Sequence, residues 1–252
     1  MPKLSEVSTN ELLMDCLQLV GQIMIESGAE VYRVENTMYH IANSQNIPDI
    51  QTYVTSTGIL LTVGKTQSTR ITPIARRITD LEKVARVNAV SRKLSAKSIT
   101  LTQAYDELLT IQKTNYFLPI YLQVLAACIA SGSFLIMFGG IWQDFFAAFI
   151  AGGMGFLTYL IAHDLTRVRF FSEFTASLVV GLLAYLAVHL QLGSELDKII
   201  IGSVMPLVPG LPITIAVRDL MSGHLVSGLA KGAETVLTAF AIGSGIAVVL
   251  SF

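Results

Sequence analysis

Residues 199–217 read Ile-Ile-Ile-Gly-Ser-Val-Met-Pro-Leu-Val-Pro-Gly-Leu-Pro-Ile-Thr-Ile-Ala-Val. The stretch is apolar enough for a bilayer, whose hydrocarbon core of about 30 Å needs about 20 mostly apolar residues. Yet Pro206, Pro209 and Pro212 recur at a spacing of three, with Gly210 among them. A proline lacks the backbone N–H and collides with the carbonyl four residues earlier. In a continuous helix the carbonyls of Gly202, Met205 and Val208 would lose their partners. The reading is a membrane span over 198–217 broken near its middle. Broken backbone at membrane depth survives only when buried in protein or lining a wet cavity. Discontinuous helices of this kind form substrate sites in many transporters. A half-helix starting at Pro212 would point the N–H groups of Ile213 and Thr214 toward the midplane, a partly positive end suited to a carboxylate. Pro206, Pro209, Gly210, Pro212 and Thr214 are therefore candidate substrate-binding positions. A kinked packing helix with no ligand is the alternative.

The surrounding sequence supports the membrane reading. Of all residues, 52% are hydrophobic and 14% charged, against about 25% charged in typical soluble domains. Mean hydropathy is +0.61. The bias is local: residues 1–116 carry 12 Lys/Arg and 11 Asp/Glu, residues 117–252 only 5 and 7. Four further apolar stretches, at 117–139, 143–163, 171–190 and 233–252, make five spans. Met1–Ser8 is polar, and the expectation is that no signal peptide opens the chain. The segment before the first span is rich in Lys/Arg and the first loop has none; the second has Arg167 and Arg169, the third only Lys198, and the fourth Arg218 and Lys231. This alternation implies N-terminus in, C-terminus out. Small residues four apart (Ala148/Gly152, Ala147/Ala151/Gly155 and Ala239/Gly243/Ala247) imply close helix packing within the chain or with a partner.

Polar residues within or beside the spans extend the candidates. Ser131 and Ser133 flank Gly132 in the first span and join the substrate-binding set. Glu173 lies about one turn into the third span, Glu234 opens the fifth, and Arg218 and Asp219 end the fourth. An ionisable group inside a span is costly and marks function by default. Interfacial placement competes with proton coupling for Glu173 and Glu234. Cys16 and Cys128 fall in different halves and suggest no disulfide. The histidines (His40, His163, His189, His224) are scattered, so neither a metal nor a cofactor is expected. Net charge is −1, which gives no argument for nucleic acid.

Residues 1–116 read as a small cytoplasmic α+β domain ordered α-α-β-β-α-α. Leu12, Leu13, Cys16, Leu17, Val20, Ile23 and Met24 have helical spacing over 9–27. Ser27 and Glu30 suggest a capping box opening a helix from Ala29 to Ser44. Pro48 ends that region. Residues 50–64 alternate as one strand, Lys65–Ser68 reads as a turn, and Arg70–Ile74 reads as an edge strand because of Pro73. Thr79 and Glu82 suggest a second capping box before Leu81, Val84, Val87, Val90 and Leu94. A last helix covers about 101–114. Glu30, Arg33 and Glu35 crowd one short helix, as a solvated face or as a gate or docking surface beneath the pore. No nucleophile elbow, phosphate loop or metal motif appears.

Two stretches, SGAEVYRVENTM (Ser27–Met38) and PLVPGLPITIAVRDLMSGHLVSG (Pro206–Gly228), resemble the threonine/serine exporter (ThrE) family, above all its short, split, YjjP-like members. The likeness covers nearly the whole chain. It implies a mainly α membrane protein of the cell inner membrane that exports small metabolites: threonine and serine in fused members, succinate in a split pair. It implies as partner a second small membrane protein supplying the remaining spans, with a small carboxylate or amino acid as substrate and the lipid bilayer as surroundings. A homo-oligomer stays open. The expectation is that no second set of spans follows Phe252, which would match the split form. An odd span count would invert a similar second half relative to this one. The alternatives are a membrane-anchored enzyme acting through its soluble domain, and a scaffold subunit with no pathway of its own.

Overall fold

In the computed structural model, which describes residues 4–47, 49–63 and 69–251, the chain is mainly helical and divides into two units. One comprises Met1–Phe117 and Pro212–Gly232, the other Leu118–Leu211 and Ala233–Phe252.

In the first unit, the helical spacing of apolar residues becomes α1 (Leu4–Glu26), which buries Leu13, Cys16, Leu17, Val20, Ile23 and Met24. Burial, with Asp15 beside it, pushes the Cys16 thiol up to about 12, so Cys16 acts as a small inert hydrophobe. Gly28, at φ +83°, closes the helix: the Ala29 N–H donates to the Met24 carbonyl at 2.9 Å. This left-handed position suits glycine. The capping box expected at Ser27 and Glu30 does not form, because Ser27 is spent in this closing turn. Helix α2 (Val31–Ser44) starts two residues later than expected, and its N-cap Glu30 makes no side-chain cap bond.

The apolar alternation over 50–64 hides a turn. The expected single strand is a hairpin of β1 (Ile50–Val54) and β2 (Gly58–Val63), closed where the Thr55 N–H donates to the Gly58 carbonyl at 2.9 Å. With β3 (Arg70–Pro73) it forms an antiparallel sheet of order β1-β2-β3, in which Val54 faces Ile59 and Leu61 faces Arg70. The order is thus α-α-β-β-β-α-α, not α-α-β-β-α-α. The expected Pro48 boundary and Lys65–Ser68 turn lie outside the described residues. Val54, Ile59, Leu61 and Val63 face the core; Tyr53, Leu60 and Ile71 face outward. Helix α3 (Leu81–Ser95) is capped by Asp80, whose side chain accepts from the Lys83 N–H, and not by the expected Thr79–Glu82 box. Helix α4 (Leu101–Lys113) opens on a Thr100–Gln103 capping box.

The second unit contains α5 (Ile120–Met137), α6 (Phe145–Thr166), α7 (Arg169–His189) and α8 (Leu196–Val204), the last continued by a 3₁₀ turn at Met205–Leu207. Helices α9 (Gly210–Met221) and α10 (Leu225–Leu250) pass from one unit into the other. Among the described residues four helices are long and apolar enough to cross a membrane, and a fifth if the bent pair Leu196–Leu207 and Gly210–Met221 is one span. The last helix begins well before the expected residue 233, so Glu234 lies inside α10 and does not open it.

Small residues set the packing of this unit. A Cβ added to Gly202 would lie 2.8 Å from Leu135 Cβ and 3.0 Å from its Cα, so the α8 backbone rides directly on α5. One added to Gly245 would lie 2.5 Å from the Phe174 carbonyl oxygen and 2.2 Å from Ser177 Oγ. Gly181 meets Val249 and Gly245 meets Ser177, so α7 and α10 run parallel. The expected Ala148/Gly152 pair is buried, as are Ala151 and Gly155, while Ala147 is half-buried. The expected stripe on the last span is not packed within the chain: Ala239, Gly243 and Ala247 are exposed, and the seam inside the chain is Thr238, Ala241, Ile242, Gly245 and Val249.

Overpacking a tight backbone crossing costs about 1–3 kcal/mol. Gly202→Ala and Gly245→Ala are each expected to lower the thermal midpoint of the solubilised chain. Gly243→Ala, which meets nothing within 4 Å, leaves it unchanged. Thermal melts of the three variants compare them directly.

Candidate functional site

The proline series interrupts the helix as its chemistry requires. Pro206 sits in the first positions of the 3₁₀ turn, and Val208 then turns to extended backbone at φ −64°, ψ 127°. The Gly210 N–H donates back to the Val208 carbonyl at 2.9 Å, and α9 begins. The second half-helix therefore starts at Gly210, with Pro212 inside its first turn, and not at Pro212 as expected. Proline in a first turn removes an N–H that has no helical acceptor anyway. Pro209 is buried, Pro206 and Pro212 are half-buried, and Gly210 and Thr214 are exposed.

Ser131 is brought close to the break and Ser133 is not. Ser131 is fully buried on α5 where Gly152 of α6 and Ser203 of α8 approach. The Ser203 hydroxyl donates to the Ala148 carbonyl at 3.2 Å, while Ser131 Oγ has no hydrogen-bond partner. Ser133 is exposed on another side of α5. Asp144 is fully buried. It accepts from the Ser194 N–H at 2.6 Å and the Glu195 N–H at 3.1 Å, capping the start of α8 from a distant point in the chain.

The candidate charges of the first unit converge. Glu30 accepts from Arg218 at 2.5 Å and from Arg33 at 2.9 Å. Asp219 is fully buried; one oxygen accepts from the Val31 N–H at 3.0 Å and the other from Lys231 Nζ at 2.8 Å. Lys231 also donates to the Ala29 carbonyl at 3.2 Å. Asp219 thus supplies the N-terminal cap that α2 lacks locally, and Lys231 balances its charge. The neighbouring turn is held too: Ser227 Oγ accepts from the Ser56 N–H at 3.1 Å, and His224 Nε2 lies 3.7 Å from Glu35, which accepts from the Val54 N–H. Burial raises the Glu35 carboxyl, partly offset by His224 and the Val54 N–H. In sequence Lys231 counts only as a loop charge and His224 as one of the scattered histidines, because no local spacing ties position 231 to 219 or 224 to 35.

Glu173 and Glu234 belong to the second unit. Glu173 is almost wholly buried; Oε1 accepts from Arg169 Nε at 3.0 Å and Oε2 has no hydrogen-bond partner. Glu234 is half-buried. No group of three His, Cys, Asp or Glu among the described residues could hold a metal ion.

A bundle of apolar helices with one broken member and buried ion pairs defines a membrane protein. The chain belongs to the threonine/serine exporter family: the model of that family, ThrE, described as "Putative threonine/serine exporter", matches residues 15–252. It is similar to the "Probable threonine/serine exporter" of Mycobacterium tuberculosis, at 21% identity over 94% of this chain and 46% of the relative. It is also similar to the "Probable succinate transporter subunit YjjP" of Klebsiella aerogenes, at 24% identity over 94% of this chain and 92% of the relative. The chain therefore spans about half the length of the mycobacterial relative and nearly all of the other. These names describe transporters, not enzymes. No solved structure matches the chain.

Removing one partner of a buried ion pair costs about 3–5 kcal/mol. Lys231→Met, which strands Asp219, is expected to destabilise the chain by about that much in thermal or denaturant unfolding, and Lys231→Met with Asp219→Asn by less. A second expectation concerns pH. With the Glu35 carboxyl raised in the folded state, the folded chain holds a proton that the unfolded chain has already released. Its contribution to stability is present below the ordinary carboxylate range and is lost as pH rises through the raised value. Glu35→Gln should flatten that part of the stability–pH profile.

Proposed function

We propose that this chain is one subunit of a two-component exporter in the cell inner membrane, moving small carboxylates or amino acids such as succinate, threonine or serine outward. The broken apolar helix carries the reading: two short helices flank extended backbone at Val208, in a chain of the exporter family. Polar backbone exposed by such a break is tolerated in a membrane only where protein or a wet cavity encloses it. The named cargoes of the relatives all carry a carboxylate, which suits the first turn of a helix such as α9.

In this reading residues 1–116 form the cytoplasmic domain and residues 117–252 the transmembrane domain, with the N-terminus inside and the C-terminus outside. The loop charges support that orientation, and the parallel course of α7 and α10 supports a single span between them. A second small membrane protein supplies the other half; coverage of about half of the mycobacterial relative but nearly all of the YjjP subunit supports this. Ser131, Pro206, Pro209, Gly210, Pro212 and Thr214 contribute to the substrate path. Ser133, being exposed, faces lipid or the partner. Glu30, Arg33, Glu35, Arg218 and Asp219 gate it by holding the α9–α10 connection, and Glu173 or Glu234 couples export to the proton gradient.

The test is efflux of succinate, threonine and serine from cells expressing this chain, the neighbouring membrane subunit, or both. Export of one of these only when both are present is the expected result; no change with both present rejects the reading. Glu173→Gln or Glu234→Gln should abolish export or its pH dependence. If both variants keep full pH-dependent export, proton coupling through these residues is wrong.

A further inference from the structure

Among the buried polar atoms of the second unit without a hydrogen-bond partner, two lie on the packed helices α7 and α10: Glu173 Oε2 and Thr238 Oγ1. Their residues are 2% and 1% exposed. An orphaned buried polar group is costly, and in a native protein it calls for an explanation. The helix register places the two near one another. The parallel pairs Gly245 with Ser177 and Gly181 with Val249 set Ala241 level with Glu173, and Thr238 lies one helical turn from Ala241 toward the Arg169 end.

A second hydroxyl arrives from α6. A Cβ on Gly155 would lie 2.3 Å from Val180 and 3.5 Å from the Ala176 carbonyl oxygen. Helix α6 runs antiparallel to α7, so Tyr159, one turn beyond Gly155, falls level with Ser172 and Glu173. It is within electrostatic range of both Arg169 and Glu173. Its ring is clamped between Phe156 at 6.1 Å and the stacked His163 at 5.8 Å, which limits where the hydroxyl can point.

The charged and titratable surroundings are few. Helix α7 supplies Arg169, α6 supplies Tyr159 and the exposed His163 and Asp164, and α10 supplies Glu234 one turn beyond Thr238. Helix α8 brings only Asp197 and Lys198, in its first turn. One carboxylate oxygen is already taken by Arg169 and the other has no hydrogen-bond partner.

From this geometry we infer that Glu173, Tyr159 and Thr238 form a single proton-binding site between α6, α7 and α10, opening at the Arg169 and His163 end of these helices. The step is a simple protonation. A hydronium ion at that end gives its proton to Glu173 Oε2 and leaves as water. The new O–H lies among the hydroxyls, and Arg169 loses its ionic partner. The site can thus exist in two states, one with Glu173 paired to Arg169 and one with Glu173 neutral. The inference rests on the proposed coupling role of Glu173, and assigns Tyr159 and Thr238 as the positioning residues of that site.

The experiment is infrared difference spectroscopy, acid minus neutral, on the full chain in lipid, for wild type and Glu173→Gln, Tyr159→Phe and Thr238→Val. These substitutions change little in volume, and circular dichroism checks that each variant folds. The wild-type difference spectrum is expected to contain a carboxylic-acid carbonyl component that Glu173→Gln removes, beside the bands of other carboxyls such as Glu35, and that both hydroxyl variants shift in frequency. A Glu173→Gln spectrum with no component missing, or a component that neither hydroxyl variant shifts, overturns the site. So does a band suppressed by sodium at constant pH, which would mark a metal-cation site. If Glu173→Gln abolishes export while no such band exists, the coupling role stands and this site fails. If export is unaffected but the band behaves as expected, the site stands and the coupling role fails.

Discussion

The constraint on which this structure turns is the loss of helical hydrogen bonding at Pro206, Pro209 and Pro212. In water a chain can leave carbonyls and amides to solvent; in hydrocarbon it cannot, and each unsatisfied group costs several kcal/mol. The chain meets the constraint by changing conformation in stages. The α-helix tightens into a 3₁₀ turn at Met205–Leu207, Val208 turns extended, and a new helix starts at Gly210. The break is therefore regular at each step, and its buried side is sealed by close backbone packing, with Gly202 of α8 directly on Leu135 of α5.

The start of the broken pair is secured as carefully as its middle. Asp144 satisfies two amides where α8 begins. Beyond the break, Asp219 and Arg218 near the end of α9 are taken up by the α2 N-terminus, Lys231 and Glu30. Buried ion pairs of this kind add little net stability against a hydrophobic alternative, but they are severe when one partner is lost. Here they tie residues 212–232 to the rest of the first unit, where the α2 amide, Lys231 and Glu30 are all satisfied.

Several local readings failed for the same reason. Ser27 and Glu30 have capping-box spacing, but the left-handed Gly28 consumes Ser27 in ending α1, and the cap comes instead from Asp219. Residues 50–64 alternate without a break, since Thr55, Ser56 and Thr57 carry no strong turn signal. Only the pairing of Val54 with Ile59, and the Ser227 hydroxyl on the Ser56 amide, show a hairpin there. The stripe Ala239, Gly243 and Ala247 has ideal spacing for helix packing, yet the adjacent seam through Thr238, Ala241 and Gly245 is the one buried.

What the sequence determined by itself rests on properties local in the chain. Runs of apolar residues, the distribution of charge between the halves, and prolines at a spacing of three act through hydration and backbone chemistry within a turn or two. They suffice to identify a bundle of apolar helices with one broken member, and the motifs at Ser27–Met38 and Pro206–Gly228 suffice for the family. What only the tertiary structure decided are the partnerships across long separations: Asp219 with Val31 and Lys231, Asp144 with Ser194, Arg218 with Glu30. A buried charge is stabilised by whatever lies within a few ångströms of it, and distance along the chain carries no information about that neighbour until the helices are packed.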